Sequence, residues 1–132
     1  MSEDKKGASR KTKQKEEIFR VIQDAKGPLS VKEIHDLSKL SLKNIGIATV
    51  YRTVNHLLES EKIHEIKLPG ESSRFETSHL EHHHHFHCTE CDRVFDVEVC
   101  PFPIENLPKG FRVDSHEILL YGVCSECNKI QK

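Results

Sequence analysis

Two short cysteine pairs carry the most specific chemistry in the chain: Cys88-Thr-Glu-Cys91 and Cys124-Ser-Glu-Cys127, with 32 residues between them. Each CxxC closes a tight turn that aims two thiolates at one point. Two such turns supply the four sulfurs of a closed, tetrahedral structural zinc site. Thiolate softness and tetrahedral geometry favour zinc over harder ions. The linking segment is longer than in a usual zinc ribbon, so a small subdomain must fold between the turns. A redox CxxC is the other reading of one pair, but two pairs without a thioredoxin-like order of elements argue against it. A fifth cysteine, Cys100, lies outside both turns, between Val99 and Pro101. It reads either as a small apolar side chain at a strand end or as an additional soft donor.

Against the first pair crowd His82, His83, His84, His85 and His87. In an extended segment alternate side chains share a face. His83 and His85 then point one way and His82 and His84 the other, enough to feed two separate metal sites. The segment from 78 to 87 otherwise has little secondary-structure signal and reads as a hinge plus ligand segment. His35, His56 and His64 each sit on a helix or strand surface and read as non-ligands. An odd cysteine count, two CxxC units and no apolar leader point to a reduced, cytoplasmic compartment. No apolar run approaches the ~18–20 residues of a membrane span.

The elements that must position these groups fall into two halves. The chain has 132 residues and a formal net charge of −1, with 36% hydrophobic and 31% charged residues and no tryptophan. Residues 1–69 hold 14 Lys/Arg against 10 Asp/Glu, and residues 70–132 hold 6 against 11. A basic first half and an acidic, His- and Cys-rich second half imply two jobs. Residues 16–25 place Ile18, Val21, Ile22 and Ala25 at helical spacing, stopped by Gly27–Pro28. Ser30 and Glu33 form a capping box for a second helix with Val31, Ile34 and Leu37 on one face. A third helix over 47–60 carries Val50, Val54, Leu57 and Leu58 on its stripe, with Tyr51, Arg52 and Asn55 pointing elsewhere. IHEIKL and SSRFET flank the Pro69–Gly70 turn as a hairpin. Three short helices and a hairpin are the winged-helix plan, whose third helix enters the major groove. Further on, RVFDVEV predicts a strand with Phe95, Val97 and Val99 on one face. IENLPKGF is at most a short helix. FRVDSHEILLYGVC adds strand with Leu119, Tyr121 and Val123 on one face. The fold class is therefore α+β: a winged helix over 1–77 and a small α/β domain over 78–132.

Ala48-Thr-Val-Tyr-Arg52, His82-His-His-His85 and the two CxxC units together resemble the ferric uptake regulator family of bacterial metal-dependent repressors, over about Arg10 to Cys127. The resemblance implies a homodimer, each subunit carrying an N-terminal winged helix and a C-terminal dimerisation domain. Metal bound at the hinge closes such a dimer onto a palindromic double-stranded operator. Thr49, Tyr51 and Arg52 match the helix that meets DNA, Arg10 the basic residue that reaches the minor groove, and Lys15 a phosphate contact. Cys88, Cys91, Cys124 and Cys127 match the structural zinc set. Glu76, His83, His85 and Asp96 match the regulatory metal site, and His82, His84, His116 and Glu105 the accessory site. Pro28 stands where the family often supplies a sensing histidine, and His35 or Cys100 are the substitutes the sequence offers.

The histidine run and the fifth cysteine lean toward zinc as effector. Asp96, where iron-sensing members usually carry Glu, resembles the peroxide-sensing branch, and Fe(II) or Mn(II) also suit such a donor set. A zinc hydrolase or deaminase would need an open metal position beside a general base, and neither HExxH nor HxE…PCxxC occurs; the expectation is a non-enzyme. A zinc-stabilised protein-interaction module would explain the cysteines but not the Ala-Thr-Val-Tyr-Arg helix.

Overall fold

The computed structural model describes residues 10–78, 84–98 and 106–130. The chain forms two compact units, Met1–His79 and Leu80–Lys132. The first contains helix α1 (Arg10–Asp24), strand β1 (Leu29–Ser30), helices α2 (Val31–Ser38) and α3 (Ile47–Glu59), and strands β2 (Ile63–Ile66) and β3 (Arg74–Thr77). β2 and β3 pair as the expected antiparallel hairpin, and β1 adds to the other edge of β3 in the order β1-β3-β2. This is the winged-helix arrangement.

Helix α1 starts at Arg10, six residues before the apolar spacing becomes visible. Apart from Thr12, its first turns are Lys, Arg and Gln, which favour helix but form no apolar stripe, so periodicity cannot detect them. Ile18, Ile22, Ile34, Val50, Val54, Leu57, Ile63 and Phe75 close into one buried core. The capping box at α2 is complete: Glu33 N–H donates to Ser30 Oγ at 3.2 Å, and Ser30 N–H donates to Glu33 Oε1 at 3.0 Å. Leu37, expected on the inner face of α2, is 41% exposed.

One polar group is built into this unit. Arg74 is 4% exposed, and its guanidinium donates to Glu33 Oε1 at 2.6 Å, to Glu71 Oε1 at 3.3 Å and to the Pro28 carbonyl at 3.3 Å. The same Glu33 oxygen therefore caps α2 and ties it to the third strand of the wing.

The second unit contains β4 (His84–Cys88), β5 (Val94–Val97), β6 (Leu119–Gly122) and helix α4 (Ser125–Ile130). Three expectations are corrected here. The histidine segment is not merely a hinge: His84–Cys88 is the central strand, antiparallel to β5 and parallel to β6. Histidine conceals the alternation that would reveal a strand, because His84 and His87 are buried although polar. On β5 the buried side chain is Val94, while Phe95 and Val97 are half-buried and Val99 lies outside the described residues. Arg93 covers the Phe95 ring, with its guanidinium carbon 5.2 Å from the ring centroid. Likewise Tyr121 on β6 is 57% exposed rather than inward. At Gly122 a Cβ would meet the Phe86 ring at 2.9 Å, so a side chain there would require that ring to shift.

Glu33→Ala should destabilise the first unit by about 3 kcal/mol, because it removes a carboxylate from a buried guanidinium as well as the cap. Ser30→Ala, which removes the cap alone, should cost about 1 kcal/mol. Urea unfolding of the full chain, followed at the α2 amides by hydrogen exchange, separates the two. Equal losses would show that the ion pair contributes nothing beyond the cap.

Candidate metal centre and nucleic-acid interface

The parallel pairing of β4 with β6 sets Cys88 opposite Gly122, two residues before Cys124. Both CxxC turns thus leave neighbouring strand ends on the same side of the sheet. Thr89 locks them: its N–H donates to the Gly122 carbonyl at 2.8 Å and its Oγ1 donates to the same oxygen at 3.1 Å. After the first turn the chain turns sharply at Asp92, whose φ is +64°. Asparagine and aspartate are the non-glycine residues best suited to that conformation.

One Sγ from each of Cys88, Cys91, Cys124 and Cys127 lies within 4.8 Å of every other. The Cys91–Cys124 sulfur separation is 3.9 Å. Four sulfurs at ~2.3 Å from a tetrahedral zinc would be about 3.8 Å apart, so the set fits that ion. Cys88 accepts N–H bonds from Cys124 at 3.3 Å and Cys91 at 3.5 Å. Burial opposes its charged form, but the backbone N–H groups of Cys124, Cys91 and Glu90 outweigh it and hold the thiol down to about 6. The Cys127 N–H likewise lowers Cys124 against the cost of burial. Burial and the adjoining sulfurs of Cys124, Cys88 and Cys91 push Cys127 up to about 12. Four thiolates so close repel one another, and a bound divalent cation supplies the charge that lets all of them ionise.

A residue that spacing did not reveal completes the centre. Arg93 donates from Nε to Cys91 Sγ at 3.3 Å and from its terminal nitrogen to Cys124 Sγ at 3.8 Å and Glu126 Oε1 at 2.6 Å. The signal available was its position, two residues after Cys91 and immediately before β5.

The remaining donors divide between the units. In the second, His85 and Asp96 are cross-strand partners, with Nε2 3.6 Å from Oδ1. His84 is 2% exposed, and its Nδ1 accepts the Ile118 N–H at 3.1 Å. The His116 ring lies 5.0 Å away, centroid to centroid. In the first unit Glu76 is 2% exposed, and His64 Nε2 is 3.1 Å from its Oε2. His35 directs Nε2 to the Ile45 carbonyl at 2.9 Å, a contact that fixes a proton on that nitrogen. His82, His83, Cys100 and Glu105 lie outside the described residues.

The residues expected to meet DNA converge on a cleft of about 500 Å³ in the first unit. Arg10 and Lys15 from α1 face Thr49 and Arg52 from α3 across it. Lys11, Gln14, Asn44, Thr53 and His56 also line it, and no acidic residue does. Lys11 and His56 were legible in helical spacing, since Lys11 and Lys15, like Arg52 and His56, are four apart and share a face, whereas Asn44 lies outside both helices. Arg52 donates to Thr49 Oγ1 at 3.1 Å. Tyr51 is 55% exposed but does not line the cleft.

Cys91→Ser or Cys127→Ser should release one metal ion per chain and unfold the second unit, read by metal analysis and by exchange protection of the β4 amides. Arg93→Met should keep the stoichiometry but make the ion roughly tenfold easier for a chelator to remove, as loss of an outer-shell partner does. Retention at the wild-type rate would show that the guanidinium leaves the thiolates untuned.

The profile described as the Ferric uptake regulator family matches residues 6–121. The Ferric uptake regulation protein of Campylobacter upsaliensis is 36% identical over 92 residues, covering 64% of this chain and 57% of that protein. The alignment thus spans little more than half that relative's length. The Ferric uptake regulation protein of Bacillus subtilis strain 168 is 30% identical over 127 residues, covering 89% of this chain and 84% of the relative. Among solved structures, a zinc-bound manganese uptake regulator superposes with a TM-score of 0.75 at 32% identity, covering 89% of this chain and 92% of that one. With the profile running through the winged helix and on to β6, this chain belongs to the Ferric uptake regulator family.

Proposed function

We propose that this protein is a metal-responsive transcriptional repressor that binds a palindromic operator as a homodimer in the cytoplasm, with residues 1–77 contacting DNA and residues 78–132 binding metal and dimerising. The observation that carries the reading is the cleft between α1 and α3, lined by four cations and no carboxylate. Its only evident use is a polyanion. The first turn of α1 carries basic and no acidic residues, so side chains and helix dipole add to one positive field. Phosphates replace the counterions such a field condenses. Arg10 and Lys15 would hold the backbone, while Thr49, Tyr51 and Arg52 on the exposed flank of α3 would read the groove.

In this reading Cys88, Cys91, Cys124 and Cys127 hold structural zinc. Glu76, His83, His85 and Asp96 hold the regulatory ion, and His82, His84, Glu105 and His116 form an accessory site. His85 and Asp96 suit the role because their cross-strand register sets an imidazole and a carboxylate side by side without ordering flexible chains. Ion binding controls DNA affinity only if the DNA-competent arrangement holds the ion more tightly than its alternatives. Zinc is the favoured effector, and a zinc-bound neighbour among the solved structures is compatible with it. Asp96 favours a second reading, sensing of peroxide or iron, because an all-nitrogen-and-oxygen site with two carboxylates also accepts Fe(II) and Mn(II).

Titrating operator binding with Zn(II), Mn(II) and Fe(II) tests the proposal and ranks the effectors. Metal-independent affinity with no preference for a palindrome would sink it. Arg52→Ala and Lys15→Ala should weaken binding without changing metal content, and removal of each phosphate-binding cation should lower the salt slope by about 1. His85→Ala should keep the thiolate-bound ion yet abolish activation of DNA binding. Activation at the wild-type metal concentration would remove His85 from the regulatory set.

A further inference from the structure

We infer that His87 and Asp92 form a further divalent-cation site on the second unit, separate from the four-cysteine centre and from the His85–Asp96 pair. His87 ends the histidine run, immediately before Cys88, and none of the metal sets proposed above contains it. Alternate side chains of a strand share a face, so on β4 His87 shares the face of His85 and opposes Cys88. Its Nε2 stands 3.5 Å from Asp92 Oδ1, much as His85 Nε2 stands 3.6 Å from Asp96 Oδ1. Two imidazole–carboxylate pairs of nearly one spacing therefore follow each other along β4. Among the described residues no cluster of three or more donors contains both histidines, so the two pairs are distinct.

The spacing is that of a chelate. A nitrogen and an oxygen at ~2.1 Å from one tetrahedral ion lie roughly 3.4 Å apart. The His87 side chain is 11% exposed and that of Asp92 77%, so the sheet fixes one donor and water reaches the other. His87 lies between Val94 and Tyr121 on the neighbouring strands, and the Tyr121 ring is 5.7 Å from its own, centroid to centroid. Asp92 is placed by its backbone. Its N–H donates to the Cys88 carbonyl at 2.9 Å, and the Cys88 N–H donates to the Arg93 carbonyl at 3.0 Å. These bonds close the first CxxC turn, so the fold that gathers the thiolates also sets a carboxylate beside the imidazole. A buried strand position between valine and tyrosine is better filled by a β-branched apolar residue. A polar choice there is a departure from the local optimum, as functional sites show. One imidazole and one carboxylate, with water in the remaining positions, take Zn(II) ahead of Mn(II) or Fe(II). The ligating ring is neutral, with its proton on Nδ1 and its lone pair on Nε2.

A polar contact that only clamps the CxxC turn is the rival account, and substitution separates the two. Asp92→Asn keeps a side chain that tolerates the left-handed backbone but loses the charged oxygen. His87→Leu keeps the strand packed but removes the nitrogen. The full-length protein with its four-cysteine site filled is titrated with Zn(II) against a competing chelator, and imidazole nitrogen shifts are followed by NMR. Each variant should bind one zinc equivalent about 100-fold more weakly than wild type while keeping the thiolate-bound ion. The His87 Nε2 resonance of the wild type should move as that equivalent binds. His85→Ala should retain this ion, so that adding His87→Leu to it removes one equivalent more. Wild-type uptake in Asp92→Asn, with only the thiolate-bound ion lost faster, would overturn the site in favour of the clamp. A double variant that binds no fewer ions than His85→Ala would overturn the separation and place His87 with His85. An Nε2 resonance that stays put as zinc saturates the wild type would overturn ligation, and with Asp92→Asn it decides the matter even if His87→Leu does not fold.

Discussion

Four sulfurs within 4.8 Å of one another are the constraint on which the second unit depends. Among its described residues the buried apolar side chains are Val94 and the two cysteines Cys88 and Cys124, and the buried polar ones are His84 and His87. One valine cannot offset the chain entropy of three strands and a helix. The sheet is instead pinned at one end by the two CxxC turns, which Thr89 and the N–H groups around Cys88 bring together. That arrangement concentrates negative charge, so folding and cation binding become one equilibrium. Arg93 offsets part of the charge from outside the ligand set, and it also packs on Phe95. The side chain that screens the thiolates thus covers part of the sheet as well.

The first unit solves the same problem of small size by different means. Its helices and wing close an apolar core that needs no cation. Into that core it admits Arg74, held by Glu33, Glu71 and the Pro28 carbonyl. Such a pair adds little net stability compared with well-packed apolar groups. It does fix which carboxylate caps α2 and where β3 lies against it. Since α2 packs against α3 and leads into it, this polar tie bears on the orientation of Thr49 and Arg52, the residues proposed to meet DNA.

Sequence legibility followed the kind of signal each element carried. The helices of the winged unit and its hairpin were readable because apolar periodicity and turn residues agree, and the Ser30–Glu33 box was readable residue by residue. The start of α1 was not, because basic helix formers leave no apolar trace. In the second unit periodicity misled for β4, whose inward positions are histidines, and for β5, where Arg93 covers the side chain expected to face inward. Cysteine spacing, by contrast, indicated the thiolate cluster without any knowledge of the strands. Arg93 left only a positional trace, two residues after Cys91, and the His64–Glu76 pair left none, because it depends on the register of β2 against β3, which no local pattern encodes.

The basic opening of α1 points to the division of labour in the whole chain. Arg10, Lys11 and Lys13 at a helix N-terminus are unfavourable for the isolated helix, since cations there oppose its dipole. Aspartate or glutamate would serve stability better. A stretch that departs from the local optimum and still folds is where a functional demand is expected to act. In the function proposed above, the demand is positive potential directed at the cleft shared with Thr49 and Arg52. The four cysteines of the second unit are an equivalent departure, a cluster of thiols too close together for all to ionise without a cation. In the function proposed above, each unit is completed by a ligand suited to its donors: a polyanion for the cations of the first unit's cleft and a divalent cation for the clustered thiols of the second.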